Sequence, residues 1–132
     1  MANEATLHTE THVPIAMTCA DGAGIERGAL LSLSDPLTAA TVTDSTNAIA
    51  GIAAEEKING DGRTALPVYR GGLFKVTASG GVTVGDPVRF DADNKVCLAL
   101  VNEENVAGVA LETATTGETF LMELRPQTLN LA

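Results

Sequence analysis

The two histidines are the residues whose type and spacing first suggest chemistry. His8 and His12 lie four residues apart, and on a helix this spacing would place both imidazoles on one face, where they could hold a metal ion. The three threonines within residues 6–12 disfavour a helix there. A metal site also needs further ligands and a second shell. The sequence therefore predicts solvated histidines and no metal site.

Carboxylates are the other candidates for ligands or acid–base catalysts. Asp91, Asp93 and Asn94 resemble the start of a calcium loop, but the glycine needed at the sixth position of such a loop is missing. Glu55 and Glu112 could form a carboxylate pair for acid–base work, yet nothing near them in sequence predicts a perturbed pKa. We interpret the first group as a hairpin turn and the two glutamates as solvent-facing strand ends.

Nucleophilic and cofactor chemistry have equally little support. A serine, cysteine or threonine nucleophile needs a base within hydrogen-bond reach, and the only imidazoles lie near the amino terminus. Cys19 and Cys97 fit neither a Cys-x-x-Cys nor a zinc spacing, so both are predicted to be buried thiols. The glycines of Gly22–Gly28 approach the dinucleotide fingerprint, but with one residue too many and no helix after them. We expect no enzymatic activity, no metal and no cofactor.

A repeat with a spacing of 57 residues organises the chain. Coincident glycines are the clearest sign, because glycine marks points where the backbone needs a positive φ or a close approach. We predict two halves, repeat 1 at about residues 13–70 and repeat 2 at about 71–126, that close on one another to share a core. The matched pairs include Gly24 with Gly81, Ile25 with Val82, Gly28 with Gly85, Leu31 with Val88, residues 49–53 with 106–110, and Gly60 with Gly117.

Short alternating strands separated by turn residues indicate an all-β fold, a small barrel or sandwich. We predict an extended N-terminal arm at residues 1–12, mobile unless a partner holds it, and a single β domain at residues 13–132 with a short C-terminal tail. Pro67 is expected at a strand edge or end, and Pro126 is expected to end the last strand, because proline cannot donate to a ladder. The predicted structural turn residues are Gly24, Gly28, Gly81, Gly85, Asp86 and Pro87.

Composition narrows the class of partner. Apolar residues make up 45% of the chain, but only four residues are aromatic, which predicts a core of small side chains rather than an aromatic-lined pocket. The net charge is −9 and the eight basic residues are scattered, so neither nucleic acid nor an anionic membrane is an expected partner. The sequence lacks a bilayer-length apolar run and a signal-peptide pattern. We expect a soluble protein made in a cytosol.

One stretch resembles a known family. Gly85–Asp91, then Val106–Glu112, Thr116–Glu118 and Phe120–Leu124, are similar to the recurring motifs of the capsid cement (head decoration) family of tailed bacteriophages. The resemblance implies a small β protein on the outer surface of the virion capsid, made in the host bacterial cytoplasm. It further implies binding to the major capsid protein and to itself as a homotrimer, so that neighbouring capsomers are bridged. The family offers no catalytic residues to carry over.

The N-terminal arm and one alternative function complete the expectations. The predicted partner-contact residues are those of the extended arm, which can add a strand to a neighbouring protein. They are Thr6, Leu7, His8, Thr9 and His12.

The alternative function is a β-barrel module that binds carbohydrate, since duplicated polar turns could line one end of a barrel. Such sites usually offer an aromatic platform, which this composition supplies poorly.

Overall fold

The computed structural model describes residues 3–35, 37–43, 48–99 and 105–128, with the side chains of residues 35, 127 and 128 left aside. Strands and turns make up this part of the chain, and its one helix is a single 3₁₀ turn at Ala92–Asn94. No helix in these ranges is long and apolar enough to cross a membrane. The strands are β1 (Thr6–Thr9), β2 (Ile15–Thr18), β3 (Leu30–Asp35), β4 (Thr38–Thr41), β5 (Ile49–Ala53), β6 (Ala65–Tyr69), β7 (Gly72–Thr77), β8 (Pro87–Asp91), β9 (Lys95–Leu98), β10 (Asn105–Ala110) and β11 (Thr119–Thr128).

The strands form one closed barrel and one six-stranded sheet. The barrel has the order β2-β4-β3-β5-β6, and the sheet has the order β1-β7-β11-β10-β8-β9. Strands β2 and β4 run parallel, whereas neighbours in the six-stranded sheet run antiparallel. The all-β prediction, including a small barrel, is confirmed. The first half of the chain builds the barrel, and the second half together with β1 builds the sheet.

Two strands of the barrel supply side chains to two different cores, because neighbouring residues of a strand point to opposite faces. Leu31 lies in the barrel interior, whereas its neighbour Leu30 packs into the core of the six-stranded sheet. In β5, Ala50 faces the barrel interior, while Ile49 and Ile52 face the sheet, because a register shift in the pairing with β3 interrupts the alternation between them. The sheet core therefore joins the two halves, and the barrel has a second core of its own. The joined core also contains Phe74, Val76, Val88, Phe90, Phe120, Met122 and Leu124.

Several backbone contacts recur at the 57-residue spacing. The Gly28 N–H donates to the Ala53 carbonyl at 3.0 Å, and the Gly85 N–H donates to the Ala110 carbonyl at 2.7 Å. The superposition of the two complete halves stays a prediction. The other recurring contacts are the bridges Ile25–Lys57 and Val82–Ala114, and the hydrogen bonds Val42 N–H to Leu30 C=O and Ala99 N–H to Pro87 C=O.

The N-terminal arm is extended, as predicted, and it is bound to the protein's own sheet. Strand β1 pairs antiparallel with β7, with Thr6 opposite Lys75. Before it, Ala5 is buried and its N–H donates to the Gly28 carbonyl at 3.1 Å. All four side chains of β1 are exposed, so the strand has no apolar alternation by which the sequence could reveal it.

Both expectations about proline were wrong, for reasons visible in the pairing. Pro67 lies inside β6, opposite Ala16 of β2; on the other side, pairing with β5 stops at Val68, and Pro67 only accepts a bond from the Ala54 N–H. Pro126 does not end β11, which continues to Thr128. A register shift between β10 and β11 falls at this point, and such a bulge tolerates a residue without an N–H group.

Candidate functional site

The residues considered for catalysis do not come together. Glu112 accepts hydrogen bonds from the Lys75 ammonium and from the Leu121 N–H, both at 2.8 Å, whereas Glu55 lies 3.5 Å from the Arg63 guanidinium. Each carboxylate thus bonds to a basic residue of its own half, as expected for a solvent-facing strand end. In the described ranges, no three His, Cys, Asp or Glu side chains are grouped in a way that could hold a metal ion.

Histidine and cysteine side chains are equally separate. The imidazoles of His8 and His12 are exposed, each next to the hydroxyl of an adjacent threonine, at 2.8 and 2.9 Å. Cys19 and Cys97 are unpaired. Cys19 is buried as predicted, but Cys97 is only half-buried, and this burial raises the pKa of its thiol.

Two exposed glutamates have pKa values below the ordinary glutamate range. The bond from the Lys75 ammonium, and then that from the Leu121 N–H, lower the pKa of Glu112. The backbone N–H of Thr115, followed by its hydroxyl, lowers the pKa of Glu118. A carboxyl group with a lower pKa in the folded state than in the unfolded state stabilises the fold above its unfolded pKa, and this contribution is lost as the pH falls through the folded pKa.

We therefore expect thermal stability to fall as the pH is lowered from about 5 to about 3, the range over which these carboxylates are protonated. A Glu112→Gln variant should lose less stability over this range than the unmodified protein, because one of the linked groups is gone. Glu123→Gln, in which the replaced carboxylate lies 3.7 Å from Arg125, is the control. The lowered pKa of Glu112 would be contradicted if the melting temperature of Glu112→Gln fell with pH as steeply as that of the unmodified protein.

The predicted turn residues differ in whether the local backbone requires them. Gly28 and Gly85 have φ values of +82° and +91°, a left-handed conformation that favours glycine. At Gly81, an added Cβ would meet nothing within 4 Å, so glycine is not required there by contact. Asp86 caps its own turn, since its carboxylate accepts the Thr83 N–H at 2.8 Å. The structural role of the predicted turn residues stays a prediction.

A buried lysine was missed by sequence reasoning. The Lys57 side chain has no exposed surface, and its ammonium donates to the carbonyls of Asp21 at 2.8 Å and Ile58 at 3.2 Å. The carboxylates of Asp21 and Asp61 lie 3.6 and 3.4 Å away. Because a buried cation must be paired, this group ties together the loops at one end of the barrel. Its neighbours in sequence gave no sign of burial, because Lys57 follows Glu55 and Glu56 directly.

Asn94 was expected only to form a hairpin turn, but it also connects the two halves. Its side-chain carbonyl accepts the Leu30 N–H at 2.7 Å, and its amide donates to the carbonyls of Asn3 at 2.8 Å and Gly28 at 3.1 Å. Three partners from the barrel and the arm are therefore held by one side chain of the sheet.

The remaining candidates are two exposed apolar surfaces. The first, here called the mouth patch, consists of residues at the start of β2 and around the β3–β4 turn, where the Leu37 carbonyl accepts the Thr18 N–H of β2. The second, here called the tip patch, lies where the Gly85 N–H bonds to the Ala110 carbonyl. Surfaces of this kind mark contacts with other proteins. The mouth patch consists of Val13, Ile15, Leu33 and Leu37, and the tip patch consists of Val84, Pro87 and Leu111.

Comparison with known proteins places the chain in a family. A family model for the phage cement protein matches residues 8–125. The chain belongs to the phage cement protein family. The structure of this cement protein is also similar to that of the head fiber gp8.5 N base in bacteriophage phi29, with a TM-score of 0.58 and 19% sequence identity, over 89% of this chain and 98% of that chain. At this identity the likeness shows the fold alone. No curated protein matches the chain.

Family membership agrees with the scattered positions of the candidate catalytic residues. A phage cement protein is a structural protein associated with the phage capsid, and its family is not a family of enzymes. The resemblance found in the sequence is thereby confirmed.

Proposed function

We propose that the cement protein binds the outer surface of a phage capsid through the major capsid protein, and that it stabilises the shell by bridging capsomers as a homotrimer. The observation that carries this proposal is the family match over residues 8–125. Multivalency supplies the physics: once one subunit of a trimer is bound, the contacts of the other two become intramolecular, so weak individual contacts suffice. Synthesis takes place in the cytoplasm of the host bacterium.

The N-terminal arm is the proposed contact with the capsid protein. Strand β1 ends the six-stranded sheet and pairs with β7 on one side. Its other edge can therefore accept an extended segment of a neighbouring protein by strand addition. The side chains available for such a contact are all exposed, namely Thr6, Leu7, His8, Thr9 and His12.

The test uses shells of the same phage that lack the cement protein. Purified protein is added in increasing amounts, bound protein is separated by sedimentation, and the heat resistance of the shells is followed. We expect saturable binding and a higher disruption temperature at saturation. Shells that bind no protein would refute the proposal, and binding without added heat resistance would refute the stabilising role.

The carbohydrate alternative gains little support from the positions of the aromatic rings. Phe74, Phe90 and Phe120 are buried, and Tyr69 is half-buried. Tyr69 meets Phe74 edge to face, with ring centroids 5.5 Å apart. These two residues line a cleft of about 310 Å³ beside the arm, but Phe74 is buried and Tyr69 is only partly exposed, so little aromatic surface is available for stacking on a sugar ring.

A further inference from the structure

The junction inside the molecule provides a template for a contact between molecules. At this junction the turn between β8 and β9 lies against the barrel. The Asn94 side chain there accepts the Leu30 N–H and donates to the Gly28 carbonyl. Gly28 is also covered from the other side, because an added Cβ there would overlap Glu4 and Ala5. This part of the barrel is thus closed by the molecule's own second half and arm.

The counterparts of these residues, 57 positions away, are open. Leu37 is the counterpart of Asn94, and both have left-handed φ values, +49° and +58°. The side chain of Leu37 is 58% exposed. Gly85 is the counterpart of Gly28, and an added Cβ there would meet nothing within 4 Å. One junction of this type is therefore formed within the molecule. The two surfaces that could form a second one, at Leu37 and at Gly85, are both exposed.

The two exposed surfaces match each other by apolar contact, whereas the junction within the molecule is held by hydrogen bonds. Asn94 suits the N–H of Leu30, but the counterpart of Leu30 is Pro87, which has no N–H group. A leucine at position 37 is appropriate for such a partner. Exposed apolar side chains are concentrated at the same two places. Of the eight large hydrophobic residues that are exposed in the described ranges, six lie in the mouth and tip patches, namely Val13, Ile15, Leu33, Leu37, Val84 and Leu111.

The net charge limits where copies of the chain can meet. Molecules with a net charge of −9 repel one another, so a stable contact must form where carboxylates are few. The four side chains of the mouth patch are aliphatic, and a basic group lies at the same end of the barrel, since the Arg70 guanidinium donates to the carbonyls of Ile49 and Ala50 at 3.4 and 3.1 Å. One acidic residue, Asp35, ends β3 at this end.

We propose that the mouth patch of one copy binds the tip patch of the next copy, repeating between molecules the junction that Asn94 makes within one. Such a contact is heterologous, because two different surfaces meet, and contacts of this type form a ring when the rotation closes. A homotrimer needs this kind of contact. The inference rests on the self-association proposed above and identifies the surfaces that produce it.

The test places a carboxylate in each patch. Leu37→Asp alters the mouth, and aspartate tolerates the left-handed conformation of this residue better than leucine. Val84→Asp alters the tip, where the side chain is 59% exposed. Ile58→Asp is the control, because Ile58 is 64% exposed and lies outside both patches. Melting curves establish that each variant is folded, and sedimentation over a concentration series gives the assembly mass.

We expect the unmodified protein and Ile58→Asp to sediment as trimers. Leu37→Asp and Val84→Asp should need at least about a tenfold higher concentration for half-assembly. An equimolar mixture of these two variants should form dimers, because the intact mouth of Val84→Asp still fits the intact tip of Leu37→Asp. Patch variants that assemble like the control, or a mixture that stays monomeric, would overturn the inference.

The shell-binding assay separates this inference from the proposed function. If Leu37→Asp and Val84→Asp assemble like the unmodified protein while all bind shells, the patches are not the copy–copy contact but the shell-binding role stands. If the expected assembly pattern is found while no protein binds shells, the inference stands and the shell-binding role fails. Loss of shell binding by Leu37→Asp without a change in assembly mass would show that the mouth patch faces the capsid protein instead, and would overturn the inference.

Discussion

A Gly108→Ala variant is expected to lose about 3–5 kcal/mol of folding stability, at the upper end of the range for single substitutions. Gly108 lies in β10, and an added Cβ would overlap the Glu123 carbonyl oxygen of β11. That oxygen belongs to a backbone paired on both sides, with β10 and with β7. It therefore cannot move away as the end of a flexible side chain could.

Chemical denaturation of Gly108→Ala measures this loss, with Gly81→Ala as the matched control. Gly81 lies in a turn where an added Cβ meets nothing within 4 Å, so its replacement should change stability by less than about 1 kcal/mol. If both variants unfold at similar denaturant concentrations, the close approach of β10 and β11 described here is incorrect.

An Asn94→Gly variant is expected to lose about 2–3 kcal/mol, because the Leu30 N–H and the Gly28 carbonyl lose their partner at the junction between the halves. Glycine is the informative replacement, since Asn94 has a φ of +58° and glycine adopts this conformation without strain. The measured change then reports the lost hydrogen bonds rather than a strained backbone.

The adjacent residue supplies the control for Asn94. Asp93 has nearly the same backbone conformation, with a φ of +61°, and its side chain is exposed. The Asp93→Gly variant should therefore remain within about 0.5 kcal/mol of the unmodified protein in the same denaturation experiment. Equal losses in the two variants would mean that the turn, and not the junction, determines the effect.

The parts of the fold that the sequence predicted are those encoded locally. Turn glycines and alternating residues marked the strands of both halves, among them Ile49–Ala53 with its central Gly51. That glycine now has a physical reason: its φ is +147°, and an added Cβ would overlap the Tyr69 carbonyl oxygen.

The parts that the sequence did not predict depend on distant contacts. Strand β1 has exposed side chains and forms only because β7 offers an edge. Lys57 is buried by loops that include Asp21 and Asp61. Exposed leucines, such as Leu37, cannot be distinguished from buried ones by residue type, because much of a folded surface is apolar. Which apolar residues form an exposed surface therefore depends on the three-dimensional arrangement of the strands.

Imaging of phage particles that carry the cement protein tests the central claim most directly. A reconstruction by electron cryomicroscopy should show added density on the outside of the shell, spanning the junctions between capsomers, into which three copies of the two-part β fold can be placed. Density confined to the interior of the head, or located over a single capsomer without reaching its neighbours, would contradict the account.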